Sequence, residues 1–183
     1  MVEPAPSTFP QLLQRNVRGQ GSRVFLPRRR AQTVEPITFA QLVADVDALA
    51  LALLDLGIGR GDRVGLIAEN RYEWLLVDQT LASIGAIDVP RGSDTSPTEM
   101  QFILRHSGCR LAFVEDDRTA RELQTAQQNL PELERIVVMQ EHTEIPGVQA
   151  LGDLLRSTAT RPMDPRLQAA RDTVQPDDLL TIV

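Results

Sequence analysis

The fold is decided by residues 38–95, which read TFAQLVADVDALALALLDLGIGRGDRVGLIAENRYEWLLVDQTLASIGAIDVPRGSDT. In their first part, apolar residues recur three and four positions apart, a spacing that places one apolar stripe along a helix. Thr38 and Gln41 fit a capping box, in which the hydroxyl and the amide satisfy free backbone donors at the helix start. Gly57 can supply the positive φ that ends this helix. The stripe consists of Phe39, Leu42, Val43, Val46, Leu49, Ala50 and Leu53.

Two apolar runs follow, separated by a second helical pattern. The run Arg63–Ala68 is mostly apolar, as is typical of a parallel strand that is buried on both faces. The run Ala86–Pro90 has the same character, and Gly85 ends the helix before it. That helix carries Trp74, Leu75, Val77, Leu81 and Ile84. The order predicts a βαβ unit with one more helix in front of it.

The other elements extend this unit in both directions. Ser96 to Glu99 form a second capping box, and apolar runs at 110–114 and 135–139 predict two strands that flank a polar helix at 118–129. Upstream, short strands at 23–26 and 34–37 predict a hairpin. The sequence therefore predicts an α/β fold, in which a layered, mostly parallel sheet is flanked by helices and preceded by a small N-terminal hairpin.

We divide the chain into three parts. Residues 1–7 contain two prolines and are predicted to be a flexible arm. Residues 8–175 form the α/β subdomain, beginning with a short helix capped by Thr8. Residues 176–183 contain a final apolar strand with no turn, cap or return element after it. Complete domains usually cover such an edge, so we expect the chain to be cut from a longer protein.

Composition limits the function. The net charge of −6 argues against a nucleic-acid-binding module, because phosphate binding needs a clustered basic surface. Arg28, Arg29 and Arg30 form the one basic run, which we interpret as a solvated loop between the hairpin strands, with a phosphate or membrane contact as the alternative. The sequence has no apolar stretch that could span a membrane and no signal-peptide pattern, and the single cysteine fits a reducing compartment. We therefore expect a cytoplasmic protein.

All 19 basic residues are arginine. No lysine of this chain can therefore form a Schiff base, hold a phosphate in a P-loop or act as a general base.

The order of several short motifs resembles the N-terminal portion of the adenylate-forming, AMP-binding enzymes. Within that superfamily it is most similar to bacterial long-chain fatty acyl-CoA synthetases, over about residues 8–183. The motifs are ITF at 37–39, LDLG at 54–57, GDRV at 61–64, ENRYEW at 69–74, GAIDVP at 85–90, SPTE at 96–99 and HSG at 106–108. The resemblance ends at residue 183, where the family would continue into its Thr/Ser/Gly-rich phosphate loop. In the family, a segment similar to residues 176–183 directly precedes that loop.

The resemblance implies a long-chain fatty acid–CoA ligase that uses ATP, Mg²⁺ and coenzyme A. The fatty acid carboxylate attacks the α-phosphate of ATP to give an acyl-adenylate, and the coenzyme A thiol then displaces AMP. The family places its phosphate loop, a later carboxylate and a catalytic lysine outside the part that this chain resembles. We therefore expect no catalytic residue, metal ligand or bound cofactor in this chain. Its role would be to supply the fold and one wall of the acyl or coenzyme A channel.

Four residues are candidate substrate contacts, because they follow strands whose carboxyl ends hold ligands in open α/β sheets. Arg91 and Ser93 follow the strand at 86–90. Arg118 and Arg121 lie one turn apart at a helix start, and related enzymes use arginines in a comparable place toward the coenzyme A phosphate.

Other local patterns are better explained by structure. The glycines at 57–61 follow a helix and precede a strand, which is the reverse of a dinucleotide-binding loop. His106 and Cys109 are explained as a helix-end histidine and a small buried thiol rather than a catalytic pair.

Two other classes of function remain open. A stand-alone α/β binding or regulatory module would need only the fold. An oligomerisation element could pair its proline-bearing arm or its terminal strand with another copy. The sequence is also compatible with a homodimer and with peripheral membrane contact.

Overall fold

The computed structural model describes residues 8–30, 33–161 and 164–183, and the predicted arm at 1–7 lies outside them. The helices are α1 (Phe9–Gln20), α2 (Phe39–Asp55), α3 (Tyr72–Ser83), α4 (Pro97–Ser107), α5 (Asp117–Ala126), α6 (Leu151–Thr158) and α7 (Pro165–Asp172). The strands are β1 (Val24–Arg30), β2 (Thr33–Thr38), β3 (Arg63–Ile67), β4 (Ile87–Arg91), β5 (Leu111–Val114), β6 (Arg135–Val138) and β7 (Gln149–Ala150). A short 3₁₀ turn at Gln127–Asn129 ends the segment that we predicted as one helix.

The main sheet has five strands in the order β4-β3-β5-β6-β7, and all its pairs are parallel. The chain enters the sheet at β3, adds β4 on one side, and then passes back across β3 to add β5 on the other. β1 and β2 form a separate antiparallel hairpin. The predicted α/β fold with a parallel sheet and an N-terminal hairpin is confirmed.

Alternating residues of each strand build two apolar layers. Val64 and Leu66 of β3 pack with α2, α3 and α6 on one face of the sheet. Ile67 belongs to the opposite layer, together with Met100 and Leu104 of α4 and apolar residues of α5. Both faces are covered, which explains why these strands have continuous apolar runs rather than alternating polarity.

Helix caps fix where two of the predicted helices begin. The Thr38 hydroxyl accepts a hydrogen bond from the Gln41 backbone N–H at 3.2 Å, and the Gln41 side chain accepts one from the Thr38 N–H at 2.8 Å. The Ser96 hydroxyl accepts a hydrogen bond from the Glu99 N–H at 3.3 Å. Both predicted start sites are therefore confirmed. Thr8 occupies the predicted N-cap position of α1, but its side chain makes no capping bond, so only the predicted bond was wrong.

Two further predictions were wrong. The arginine run is not a loop, because residues 24–30 form β1 and pair with β2 as far as Arg30 and Thr33. The predicted strand at 178–183 is reduced to a single parallel bridge between Thr181 and Asp88 of β4. The two-residue strand β7 was not predicted at all.

Within the described residues, no helix combines the length and apolarity needed to cross a bilayer. In the same parts of the chain, no three His, Cys, Asp or Glu side chains cluster in a way that could hold a metal ion.

Candidate functional site at the carboxyl edge of the sheet

The carboxyl ends of all the parallel strands lie at one edge of the sheet. Counted from β3, the strand order is 2-1-3-4-5, so the connections from β3 and β5 diverge to opposite faces. Ligands of open α/β sheets bind at such a switch point. The loops after β3, β4 and β5 therefore define the candidate site.

Arg91 lines an open cleft between the ends of β3 and β4, and Ser93 contacts Glu69 at its margin. The cleft has a volume of about 300 Å³, and Trp74, Glu69 and Arg91 line it. The Ser93 hydroxyl and backbone N–H donate to Glu69 Oε1 at 2.7 and 3.2 Å. These two bonds lower the pKa of Glu69. Trp74 is partly buried; it packs against the core and also lines the cleft.

Arg118 and Arg121 lie in the first turns of α5, which follows β5. Their side chains are 72% and 62% exposed, and each comes within 3.9 Å of a carboxylate one turn away on the same helix. The structure does not bring them together with Arg91 and Ser93, because β3 lies between β4 and β5. The ends of β4 and β5, which these two pairs follow, are two strand spacings apart, ~10 Å.

A network of charged side chains that the sequence did not predict crosses the same edge. Arg28 of the hairpin donates to Glu73 Oε1 through Nη2 at 2.6 Å and through Nε at 2.8 Å. Its guanidinium also lies over the Tyr72 ring, 4.9 Å from the centroid. Arg71 Nε donates to the other Glu73 oxygen at 2.7 Å. The hairpin is thereby tied to the start of α3.

Glu73 is the centre of this network. Burial alone would raise the pKa of its carboxyl, but hydrogen bonds from Arg71, from its own backbone N–H and from Arg28 outweigh that effect and lower the pKa. Glu73 also lies in the first turn of α3, where the helix dipole favours a negative charge. It is therefore a fixed carboxylate at the edge of the sheet.

The switch point itself is occupied by acidic side chains. The Glu115 carboxylate accepts a hydrogen bond from the Glu69 backbone N–H at 2.8 Å, and Arg71 Nη1 lies 3.9 Å from its other oxygen. A triphosphate needs free backbone donors and a positive potential. Here the Glu115 carboxylate already accepts a hydrogen bond from the Glu69 N–H, a backbone donor in the loop after β3. The Glu69 N–H is therefore not free to donate to a phosphate.

His106 and Cys109 have structural surroundings. The His106 ring stacks on Phe102 at a centroid distance of 5.4 Å. Cys109 is buried, its sulfur lies 3.3 Å from the Ser107 hydroxyl, and burial raises the pKa of its thiol. A raised pKa disfavours the reactive thiolate.

The sequence of this chain matches a known family. Residues 13–183 match the family model described as AMP-binding enzyme. This chain belongs to the AMP-binding enzyme family. The resemblance drawn from the short motifs is thereby confirmed.

Curated relatives of this AMP-binding chain are acyl-CoA ligases. It is 29% identical over 163 residues to the mitochondrial medium-chain acyl-CoA ligase ACSF2 of Macaca fascicularis, covering 80% of this chain and 26% of that protein. It is 30% identical over 101 residues to the long-chain-fatty-acid–CoA ligase FadD15 of Mycobacterium tuberculosis, covering 55% of this chain and 17% of that protein. The chain thus spans about a quarter or less of the length of these relatives.

Solved structures show the same fold. The N-terminal domain of FACL13 from Mycobacterium tuberculosis superposes with a TM-score of 0.74 at 22% identity, covering 96% of this chain and 41% of that one. The anthranilate CoA ligase AuaEII, solved with anthranoyl-AMP, superposes with a TM-score of 0.71 at 26% identity, covering 88% of this AMP-binding chain and 30% of that one.

Proposed function

We propose that this chain is the N-terminal α/β subdomain of an ATP-dependent long-chain fatty acid–CoA ligase. The observation that carries the proposal is the family match over residues 13–183, together with acyl-CoA ligases among the relatives. The whole protein would use ATP, Mg²⁺ and coenzyme A to convert a fatty acid into its thioester. Residues 8–175 would form the subdomain, and residues 176–183 would lead toward the phosphate loop.

The chemistry would take place outside this chain. The chain contains no lysine to supply a cation near the developing negative charge. At the described switch point, Glu115 holds the Glu69 backbone N–H that could otherwise donate to a phosphate. The contribution of these residues to the ligase would be the position of the sheet edge and one wall of a substrate channel.

Acyl chain length is the finer part of the proposal. We expect the full-length gene product to form acyl-CoA from palmitate faster than from octanoate, measured by thioester formation at equal substrate concentrations. A preference for octanoate would contradict the long-chain assignment but not the ligase assignment. Absence of thioester formation with every fatty acid would contradict both.

Arg118 and Arg121 are proposed contacts for the phosphate groups of coenzyme A, because both are exposed and weakly paired. In the full-length gene product, Arg118→Ala or Arg121→Ala should raise the KM for coenzyme A about tenfold, since one charge-assisted hydrogen bond contributes about 1.5 kcal/mol. ATP–pyrophosphate exchange does not involve coenzyme A and should not change.

The matched control is Arg105→Ala, which removes an exposed arginine from α4. This variant should leave the KM for coenzyme A unchanged. An unchanged KM in both α5 variants would contradict the proposed contacts.

Arg91 and Ser93 are proposed to line the acyl or coenzyme A channel beside Trp74. In the full-length gene product, Arg91→Ala should then alter the KM for the fatty acid or the KM for coenzyme A.

A further inference from the structure

The hairpin forms a sheet of its own. Within the described residues, β1 and β2 make up a two-stranded sheet, so each of them is an edge strand. The first four residues of β2, at 33–36, are all exposed, and Val34 is 62% exposed. Edge strands present unpaired backbone N–H and C=O groups to which a strand of another chain can pair. The hairpin is therefore a surface at which a second chain could add a strand.

The register of the hairpin places its two prolines opposite each other. Pro27 of β1 pairs with Pro36 of β2, and the pairing continues without a break from Leu26 to Arg30. In an antiparallel pair, residues that exchange two N–H···O bonds alternate with residues whose backbone groups point away from the partner strand. A proline has no N–H, so the Pro27–Pro36 pair cannot be of the bonded kind. The backbone nitrogen of each proline therefore faces the outer edge of its strand.

The outer edge of β2 has lost most of its hydrogen-bond donors. By the same alternation, the backbone groups of Val34, Pro36 and Thr38 face this edge. Pro36 has no N–H, and the Thr38 N–H already donates to Gln41 Oε1 at 2.8 Å in the capping box that begins α2. Of these three described positions, Val34 alone keeps an N–H for an added strand. Such a strand would meet one donor where a complete ladder offers three.

We propose that Pro36, together with the capping bond between Thr38 and Gln41, prevents β2 from pairing with the same strand of a second copy of this chain. Pro27 protects the outer edge of β1 in the same way. A second copy is the partner to exclude, because a strand can pair antiparallel with its own copy across a two-fold axis. This inference concerns the surface of the chain and does not depend on its function as part of a ligase.

Replacement of Pro36 tests the proposal on the 183-residue chain. Pro36→Val restores a backbone N–H at the centre of the outer edge and introduces a residue that favours strands. Sedimentation equilibrium of this variant should give a weight-average mass that rises with protein concentration toward about twice that of the unmodified chain. Pro27→Val opens the edge of β1 and should also raise the mass.

Hydrogen exchange of the Val34 amide, followed by NMR, shows whether the association uses this edge. In Pro36→Val, exchange of this amide should slow as the protein concentration rises, because the amide is then paired with the second copy. In the unmodified chain its exchange should be independent of concentration. The Phe113 amide in the central strand β5 serves as the reference for retained folding and should exchange equally slowly in both proteins.

Two control variants complete the test. Pro131→Val replaces an exposed proline in a turn outside the strands and should leave the mass and the Val34 exchange unchanged. Val34→Lys combined with Pro36→Val places a charge on the restored edge and should return the mass to that of the unmodified chain. An unchanged mass for Pro36→Val would overturn the proposal. Concentration-dependent protection of the Val34 amide in the unmodified chain would overturn it as well.

Discussion

Replacing Arg28 by alanine should lower the free energy of unfolding by about 3 kcal/mol. Arg28 donates two hydrogen bonds to Glu73, and both side chains are largely buried. The substitution leaves the Glu73 carboxylate buried with Arg71 as its remaining side-chain donor and removes the stacking of Arg28 on Tyr72. Urea unfolding followed by circular dichroism measures the loss.

The matched control is Arg118→Ala, which removes an arginine that is 72% exposed and should change stability by less than about 0.5 kcal/mol. The double variant Arg28→Met/Glu73→Leu should recover part of the loss, because no buried charge then lacks its partner. If Arg28→Ala unfolds at the same urea concentration as the unmodified chain, the hairpin is not held to α3 by this pair.

Gly152→Ala should cost about 3 kcal/mol, at the upper end of the usual range for overpacking. A Cβ at Gly152 would lie 2.5 Å from the Glu141 carbonyl oxygen and 2.6 Å from its Cα. That backbone cannot move aside cheaply, because Arg156 Nη2 donates to the same carbonyl at 2.8 Å and the Gly152 N–H donates to Gln140 O at 3.0 Å. The substitution should therefore separate the start of α6 from the loop after β6.

Gly59→Ala is the matched control, because a Cβ at Gly59 would meet no atom within 4 Å. Thermal unfolding of the two variants should place Gly59→Ala close to the unmodified chain and Gly152→Ala well below it. Equal melting temperatures for the two variants would show that the contact between Gly152 and Glu141 is looser than described.

The parts of the fold that could be predicted are those encoded by local patterns. Each of these patterns is contained in a short stretch of sequence. They are the apolar stripe of α2, the capping residues Thr38 and Ser96, and the apolar runs of β3 and β4. β7 could not be predicted, because two residues carry no periodicity. The segment at 178–183 has the composition of a strand, but strand formation depends on a partner, and β4 pairs with it at Thr181 alone.

The candidate site was predicted less completely for a related reason. Arg91 and Ser93 could be placed at the carboxyl edge of the sheet because they directly follow a predicted strand. The same rule could not show that Glu115 reaches the backbone of Glu69, which is 46 residues earlier in the chain. Arg28 was assigned to a solvated loop because a run of arginines favours solvent, whereas its partner Glu73 is 45 residues away. The partners of a long-range ion pair have no characteristic separation in the sequence, so such a pair cannot be predicted from sequence patterns.

Our central proposal is that this chain provides the fold of a carboxylate-activating enzyme, whose catalytic groups lie in other parts of the protein. ATP–pyrophosphate exchange with palmitate, measured for the 183-residue chain and for the full-length gene product, tests it most directly. The account predicts exchange by the full-length product and none above the enzyme-free blank for the chain alone. Exchange catalysed by the 183-residue chain itself would contradict it.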